Sequence, residues 1–385
     1  MRIPARVLTL VALSGLMIGA CAQAAPTPTA APPKPTATAP PKPAQPTATA
    51  PPAKPAATPA AAKATAIPKV DVPIERMTVR YGSSPAAGHG PIFVGIERGY
   101  FKERGIEISL DNTIGVETLA MVTTGELKIA GTGPGAPLFN ALQRGLPLRL
   151  IASGAAQPLS GNSTYKVVVR KDLYDAGVRT VKDLKGKKIG FLGAGGPTGY
   201  SFWLALDEAG LTYDDVDTVQ IGFGESAVAM SNRSLDAAIL AEPWPMDVKT
   251  KGIAIPITTG HDKGLQNLVV MAAADTIRDH PNAVANFLIA YLKGARDLYG
   301  KGWKDPEIVK ILAKHTKIDP VAIAQMDAPY IDPNGRINDT SLNGLQKYCL
   351  ETVKLCKYPA PLPMADFIDY SPLKRAVDYL GEFKE

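Results

Sequence analysis

Side chains able to do chemistry are few in this sequence, and they are scattered. Its four histidines, His89, His261, His280 and His315, lie in unrelated segments with no Cys or carboxylate at ligand spacing, so no metal site is expected. None of them is preceded by a G-x-S-x-G segment, which removes a serine nucleophile on an elbow. The stretch Gly193-Ala194-Gly195-Gly196-Pro197-Thr198-Gly199 follows a strand and opens a helix, and Asp215 and Asp217 come about twenty residues later, a loose imitation of a dinucleotide fingerprint. Its glycine spacing departs from G-x-G-x-x-G, and the acids precede the next strand instead of ending it. No catalytic residue and no cofactor are expected; a secreted nucleotide-dependent enzyme stays open only as an alternative.

What the loops do offer is recognition chemistry. Ser83, Ser84, Thr132, Asn162, Ser163, Thr164 and Thr198 are neutral donors and acceptors, Tyr165, Tyr200 and Trp244 are planar surfaces, and Glu242 can accept from a ring imide or hydroxyls. A small buried anion would want an Arg or Lys against the cost of desolvation, and these loops hold none. Arg149 and Lys166 lie close enough in sequence, and helix N-termini are able enough as anion sites, to keep an anion open. His89, between Gly88 and Gly90, has two readings: a hydrogen bond to a ring carbonyl, or a loop histidine bonded to backbone. The mixture suits a large, nearly neutral heterocycle with a hydroxylated arm.

These residues need elements to hold them, and the apolar pattern supplies a rhythm. Strands are expected at 78–81, 106–110, 129–131 and 148–153, with helices over 91–101, 116–123 and 138–143 between them. The rhythm restarts with strands at 165–169, 188–192, 216–221 and 237–240 and helices at 197–209 and 225–232. Two mostly parallel α/β sheets follow, with Gly154–Thr164 and Thr258–Gly264 as paired crossings between lobes. The Gly- and Pro-rich loops carrying the recognition residues follow strands, where open sheets bind ligands. The remainder, over 282–298, 306–314, 320–328 and 341–353, reads as mainly helical.

Ahead of this body the composition is different. Residues 24–68 contain 14 of the 35 prolines, with Ala, Thr and Lys and no acidic or aromatic residue, so they form an extended tether of roughly 140 Å at full reach. The seven basic residues up to Lys69 leave 35 basic against 36 acidic residues beyond, so the formal charge of +6 belongs to the tail and a nucleic-acid partner is not expected. Arg2 and Arg6 precede the apolar run Val7–Ala20, too short for a permanent span and legible as a signal peptide over 1–20. Its end, Ile18-Gly19-Ala20-Cys21, resembles a bacterial lipoprotein signal, which implies acylation of Cys21 and a membrane anchor on the extracytoplasmic side; cleavage further on, around Cys21-Ala22-Gln23-Ala24, is the alternative.

A wider resemblance rests on three segments. Gly90-Pro91-Ile92-Phe93-Val94-Gly95-Ile96-Glu97-Arg98-Gly99-Tyr100-Phe101 with Arg104-Gly105-Ile106-Glu107-Ile108, then Asp183-Leu184-Lys185-Gly186-Lys187-Lys188-Ile189-Gly190, then Asp236-Ala237-Ala238-Ile239-Leu240-Ala241-Glu242-Pro243-Trp244, together resemble the substrate-binding proteins of ABC importers for nitrate, alkanesulfonates, taurine, thiamine-precursor pyrimidines and riboflavin, most of all the riboflavin-binding lipoproteins. The likeness spans about residues 77–300; beyond Asn334 there is no family pattern. It implies a two-lobed, type II periplasmic-binding-protein fold that captures a solute in its cleft and hands it to a permease and ATPase complex. The expected solute is riboflavin, with a thiamine-precursor pyrimidine or nitrate or an alkanesulfonate as alternatives. The expected contacts are Ser83, Ser84, His89, Thr132, Asn162, Thr164, Thr198, Tyr200, Glu242 and Trp244. The organisation is then a signal peptide over 1–20, Cys21 and tether over 21–69, one lobe over 70–164 and 259–385, the other over 165–258, and a monomer.

Cys349 and Cys356 remain, in an oxidising compartment. Seven residues apart, they would be about 10.5 Å apart on an unbroken helix, so a disulfide requires the helix to end between them, and Pro359 and Pro361 stop it soon after. Two separate thiols are the alternative.

The anchor is testable by itself. Cys21→Ser is expected to abolish acylation and processing at that position, so that the lipid-held mature form disappears from the membrane fraction; an unacylated wild-type N-terminus at Ala25, read by mass spectrometry, is the opposite result.

Overall fold

Ten strands are present among the described residues, which in this computed structural model are 70–113, 115–260 and 262–384; Cys21 and the expectations for 1–20 and 21–69 lie outside them. In chain order the strands are β1 Met77–Gly82, β2 Ile106–Asp111, β3 Ile129–Thr132, β4 Leu148–Ala156, β5 Tyr165–Arg170, β6 Lys188–Phe191, β7 Asp217–Gln220, β8 Ala237–Ala241, β9 Ala254–Pro256 and β10 Gln266–Ala273. They form two five-stranded open sheets, ordered β2-β1-β3-β10-β4 and β7-β6-β8-β5-β9. Each sheet is the centre of one lobe of an α/β, two-lobed type II periplasmic-binding-protein fold.

Half of the pairings correct the expectation of mostly parallel sheets. β1 pairs in parallel with β2 and β3, and β6 with β7 and β8. β10 is antiparallel to β3 and β4, and β5 is antiparallel to β8 and β9. The reason is where the chain enters. β5 and β10 each follow a crossing, so each starts at the edge facing the other lobe and runs away from it, whereas their neighbours run toward it. β10 went unforeseen because Gln266–Ala273 is a short apolar run that periodicity alone cannot assign. Its pairing of Gln266 with Ala156 also carries β4 three residues past its expected end.

Apolar packing holds the first lobe together. Along the helix Pro281–Leu298, residues 283–292 are all buried, and Phe287 stacks on Tyr81 of β1 at 5.9 Å between ring centres. Each such large side chain contributes about 1.5–3 kcal/mol relative to exposure. No helix among the described residues is long and apolar enough to cross a membrane.

The C-terminal segment touches both lobes. The expected helix over 341–353 is α-helical only over Asp339–Lys347, then widens into a π turn over Tyr348–Thr352. The chain reverses there, bringing the Cα atoms of Cys349 and Cys356 to 5.4 Å, joined as a disulfide. From this clip, Tyr348 Oη donates to the Ala194 carbonyl of the second lobe at 2.8 Å, and the Leu355 carbonyl accepts from Asn140 Nδ2 of the first at 3.0 Å. Replacing both cysteines by serine should lower the unfolding free energy by about 2 kcal/mol, as expected for so short a loop, measured by denaturant titration of oxidised protein.

Candidate functional site

The loops that follow β1, β3, β6 and β8 come from both lobes and meet. The Ala87 N–H donates to the Glu242 carbonyl at 3.2 Å, the Glu242 N–H donates to the Thr164 carbonyl at 2.9 Å, and the Ala136 N–H donates to the Gly195 carbonyl at 2.6 Å. The last contact joins the N-terminal ends of the helices Ala136–Gln143 and Pro197–Glu208, one from each lobe. Gly135 makes it possible: a methyl there would lie 2.3 Å from the Gly195 oxygen and 2.8 Å from the Gly196 Cα. The lobes are therefore closed on each other. A cavity of about 150 Å³ beside the crossings, lined by Gln266, Tyr330, Asp332 and Arg336, and a groove of about 700 Å³ along β2 both lie away from this seam.

Among the expected contact residues, Glu242 and Trp244 meet the opposite lobe, and Ser83, Ser84, His89, Thr132 and Thr198 lie at or just after strand ends. Ser83, Thr132, Thr164, Thr198, His89 and Glu242 are buried, and Ser84 and Trp244 are half-buried. Thr132 ends β3 beside Gly131, where a methyl would lie 2.6 Å from both His89 Cε1 and Tyr81 Oη. Thr164 donates through its N–H and hydroxyl to Gln157 Oε1, at 2.7 and 3.0 Å. Trp244 opens the helix Trp244–Thr250; its ring lies over Gly224 and packs against apolar clusters of both lobes. Asn162 is exposed, its amide 3.3 Å from Asp327, and Tyr200 stands apart, packed on Tyr348 of the C-terminal clip with ring centres 5.1 Å apart.

The electrostatics of the seam rest on three charged residues. Lys166 of β5, buried, reaches from the second lobe to Asp327 of the first at 2.9 Å. The Glu242 carboxyl closes no hydrogen bond, although the Asp327 and Met246 amides face it. Burial pushes it up to about 7, with Lys166 opposing and Asp327 adding to the shift. Burial holds the His89 imidazole down to about 4, so that it is neutral, and its Nδ1 has no partner. The tyrosine hydroxyl of Tyr81, also without a partner, is pushed well up by burial.

Sequence reasoning missed Gln157, Asp327, Gly135 and Tyr348. Gln157 and Asp327 carried no motif. Gly135 sits in a glycine-rich turn, a signal that was available, but which of its glycines faces the other lobe is decided by packing.

Comparison with known proteins follows the fold. The family model described as NMT1/THI5 like matches residues 86–301. The chain is 27% identical over 298 residues to the riboflavin-binding protein RibY of Chloroflexus aurantiacus, covering 76% of this chain and 74% of that one. It is 29% identical over 156 residues to the 4-amino-5-hydroxymethyl-2-methylpyrimidine phosphate synthase of Schizosaccharomyces pombe, covering 39% of this chain and 40% of that one. The alkanesulfonate-binding protein SsuA from Xanthomonas axonopodis pv. citri, bound to MOPS, superposes with a TM-score of 0.63 at 17% identity, covering 78% of this chain and 99% of that one. At that identity the likeness is one of fold.

Gly135→Ala provides a direct test of the closed seam. The backbone conformation suits alanine, but the methyl meets backbone of the opposite lobe, so closure should lose about 1–3 kcal/mol while the unfolding midpoint stays within a few degrees. Solution scattering should show a larger radius of gyration for the variant than for the wild type.

Proposed function

From a chain that belongs to the NMT1/THI5 like family, we propose an extracytoplasmic solute-binding protein that delivers a neutral nitrogen heterocycle to the permease and ATPase of an ABC importer, held at the membrane by an acylated Cys21. The observation that carries the choice of solute is the charge pattern of the seam. The loops after β1, β3, β6 and β8 carry no Arg or Lys, the buried Lys166 is already taken by Asp327, and the one charged side chain of these loops, the Glu242 carboxyl, closes no hydrogen bond, like the neutral His89 Nδ1 and Tyr81 Oη near it. A carboxyl disfavours an anion and suits a ring that brings N–H donors.

Two heterocycles divide the reading. A pyrimidine of the thiamine-precursor type is favoured by the packing of Trp244, whose half-buried ring rests on Gly224 and between two apolar clusters, leaving less free surface than a three-ring flavin would use. Riboflavin is favoured by the extent of the likeness to RibY. Binding without turnover is the proposed mode in both cases. Ser83, Thr132 and Thr198 supply neutral hydrogen bonds from two lobes, Trp244 supplies a planar surface, and closure excludes water.

Calorimetric titration of the wild type, Trp244→Ala and Trp244→Phe with 4-amino-5-hydroxymethyl-2-methylpyrimidine and with riboflavin decides between them. The expected result is one tight solute, recovered chemically intact, with the alanine variant weaker by about 2–4 kcal/mol and the phenylalanine variant close to wild type. Tight binding of an alkanesulfonate or nitrate, with neither heterocycle bound, overturns the choice of solute; consumption of the solute overturns the binding role.

A further inference from the structure

Lys166, Glu242 and Asp327 form a corner that exists only while the lobes are together. Lys166 and Glu242 come from β5 and the end of β8 in the second lobe, and Asp327 follows the helix Pro320–Gln325 of the first. Glu242 is 2% exposed, and the cover over it is supplied by the first lobe: the Ala87 amide on its carbonyl, the Asp327 amide facing its carboxyl, and the helix Pro320–Gln325 packed on the helix Trp244–Thr250. Separating the lobes removes that cover and returns water to the carboxyl.

Inside the closed corner the charges do not balance. One ammonium faces two carboxylates; Asp327 takes the ion pair at 2.9 Å, and the Glu242 oxygens, faced by the Asp327 and Met246 amides, close no hydrogen bond of full geometry. An uncompensated buried carboxylate is costly, and a single proton makes the corner neutral. The other titratable groups around it do not supply that charge. His89, from the turn at Ala87, is neutral through burial, and Tyr165 of β5 stays protonated for the same reason. Asp262, from the return crossing, acts on Tyr165 and Tyr200, and Asp247 of the helix Trp244–Thr250 pairs with Lys251 at 2.8 Å.

We propose that closing the two lobes takes up one proton at Glu242, so that acid favours the closed state and rising pH opens it. In the open state Glu242 is an ordinary carboxylate near 4.5, and in the closed state burial raises it to about 7. Below 4.5 the proton is present in both states and closure has its full advantage. Between 4.5 and about 7 the closed state binds the extra proton, and the closed-to-open ratio falls about tenfold per pH unit. Above about 7 the ratio is flat. This goes beyond the solute-binding reading and concerns the protein with no solute present.

The test uses the full chain carrying Cys21→Ser, with donor and acceptor dyes on Val116→Cys and Val228→Cys, exposed positions on different lobes at 67% and 65%. Energy transfer is followed from pH 4.5 to 8 with no solute added, so failure here is distinguishable from failure of the solute assignment. The wild type should move from its closed to its open value as pH rises, and Glu242→Gln should hold the closed value throughout. Asp327→Asn, which leaves Lys166 to Glu242 alone, should flatten the profile and decides the matter if the glutamine variant does not fold. The same pH profile in the wild type and the folded variants, flat or sloping, overturns the proposal.

Discussion

Gln157 is fully buried at the point where the chain first leaves one lobe for the other. Its Oε1 accepts from the Ser163 hydroxyl at 3.0 Å and from the Thr164 amide and hydroxyl at 2.7 and 3.0 Å, folding the first crossing onto itself. Its own N–H donates to the Leu265 carbonyl at 2.8 Å, and the Ser163 N–H donates to the Thr259 carbonyl at 2.7 Å, tying the outgoing crossing to the returning one. The hinge is therefore a short polar knot in an apolar setting, where each hydrogen bond is costly to leave unmade. It sits where the chain leaves β4 for β5 and returns from β9 to β10, and β5 and β10 are the strands that run antiparallel to their neighbours.

Beyond the hinge, contact between the lobes is made with backbone and small residues. Gly135 against Gly195, and the Ala87 amide against the Glu242 carbonyl, bring main chain to main chain, so closure orders few long side chains and forfeits little rotamer entropy. The exception is the corner of Lys166, Glu242 and Asp327, where charge is taken out of water. Such groups are weak contributors to stability, because the cost of taking them out of water offsets their mutual attraction.

The C-terminal clip adds a third connection. Asn140 binds it from the first lobe, through Leu355 and the Lys357 amide, while Tyr348 and Leu355 rest on the loop at Ala194 and Gly195 in the second. The disulfide fixes a reversed chain whose Leu345, Cys349, Cys356 and Tyr358 are buried in the main apolar cluster, and Tyr200 packs its ring on this clip. A residue read as a ligand surface thus has a neighbour that sequence proximity could not disclose.

The sequence by itself determined the two-lobed α/β architecture, because alternating apolar runs and Gly/Pro loops at strand ends are local patterns that repeat. It also placed the crossings near Thr164 and Thr258, and it put neutral, hydrogen-bonding groups such as Ser83, Thr132 and Thr198 after strands. Strand direction was not legible: Gln266–Ala273 has the same apolar look whichever way it runs, and only the side from which the chain enters decides. Nor was the partner of Lys166. Asp327 lies 161 residues away and belongs to no motif, and the two meet because separate lobes close on one seam. Local periodicity records which face of an element is apolar; which charge meets which across a closing cleft is set by long-range geometry, and that only the tertiary structure decided.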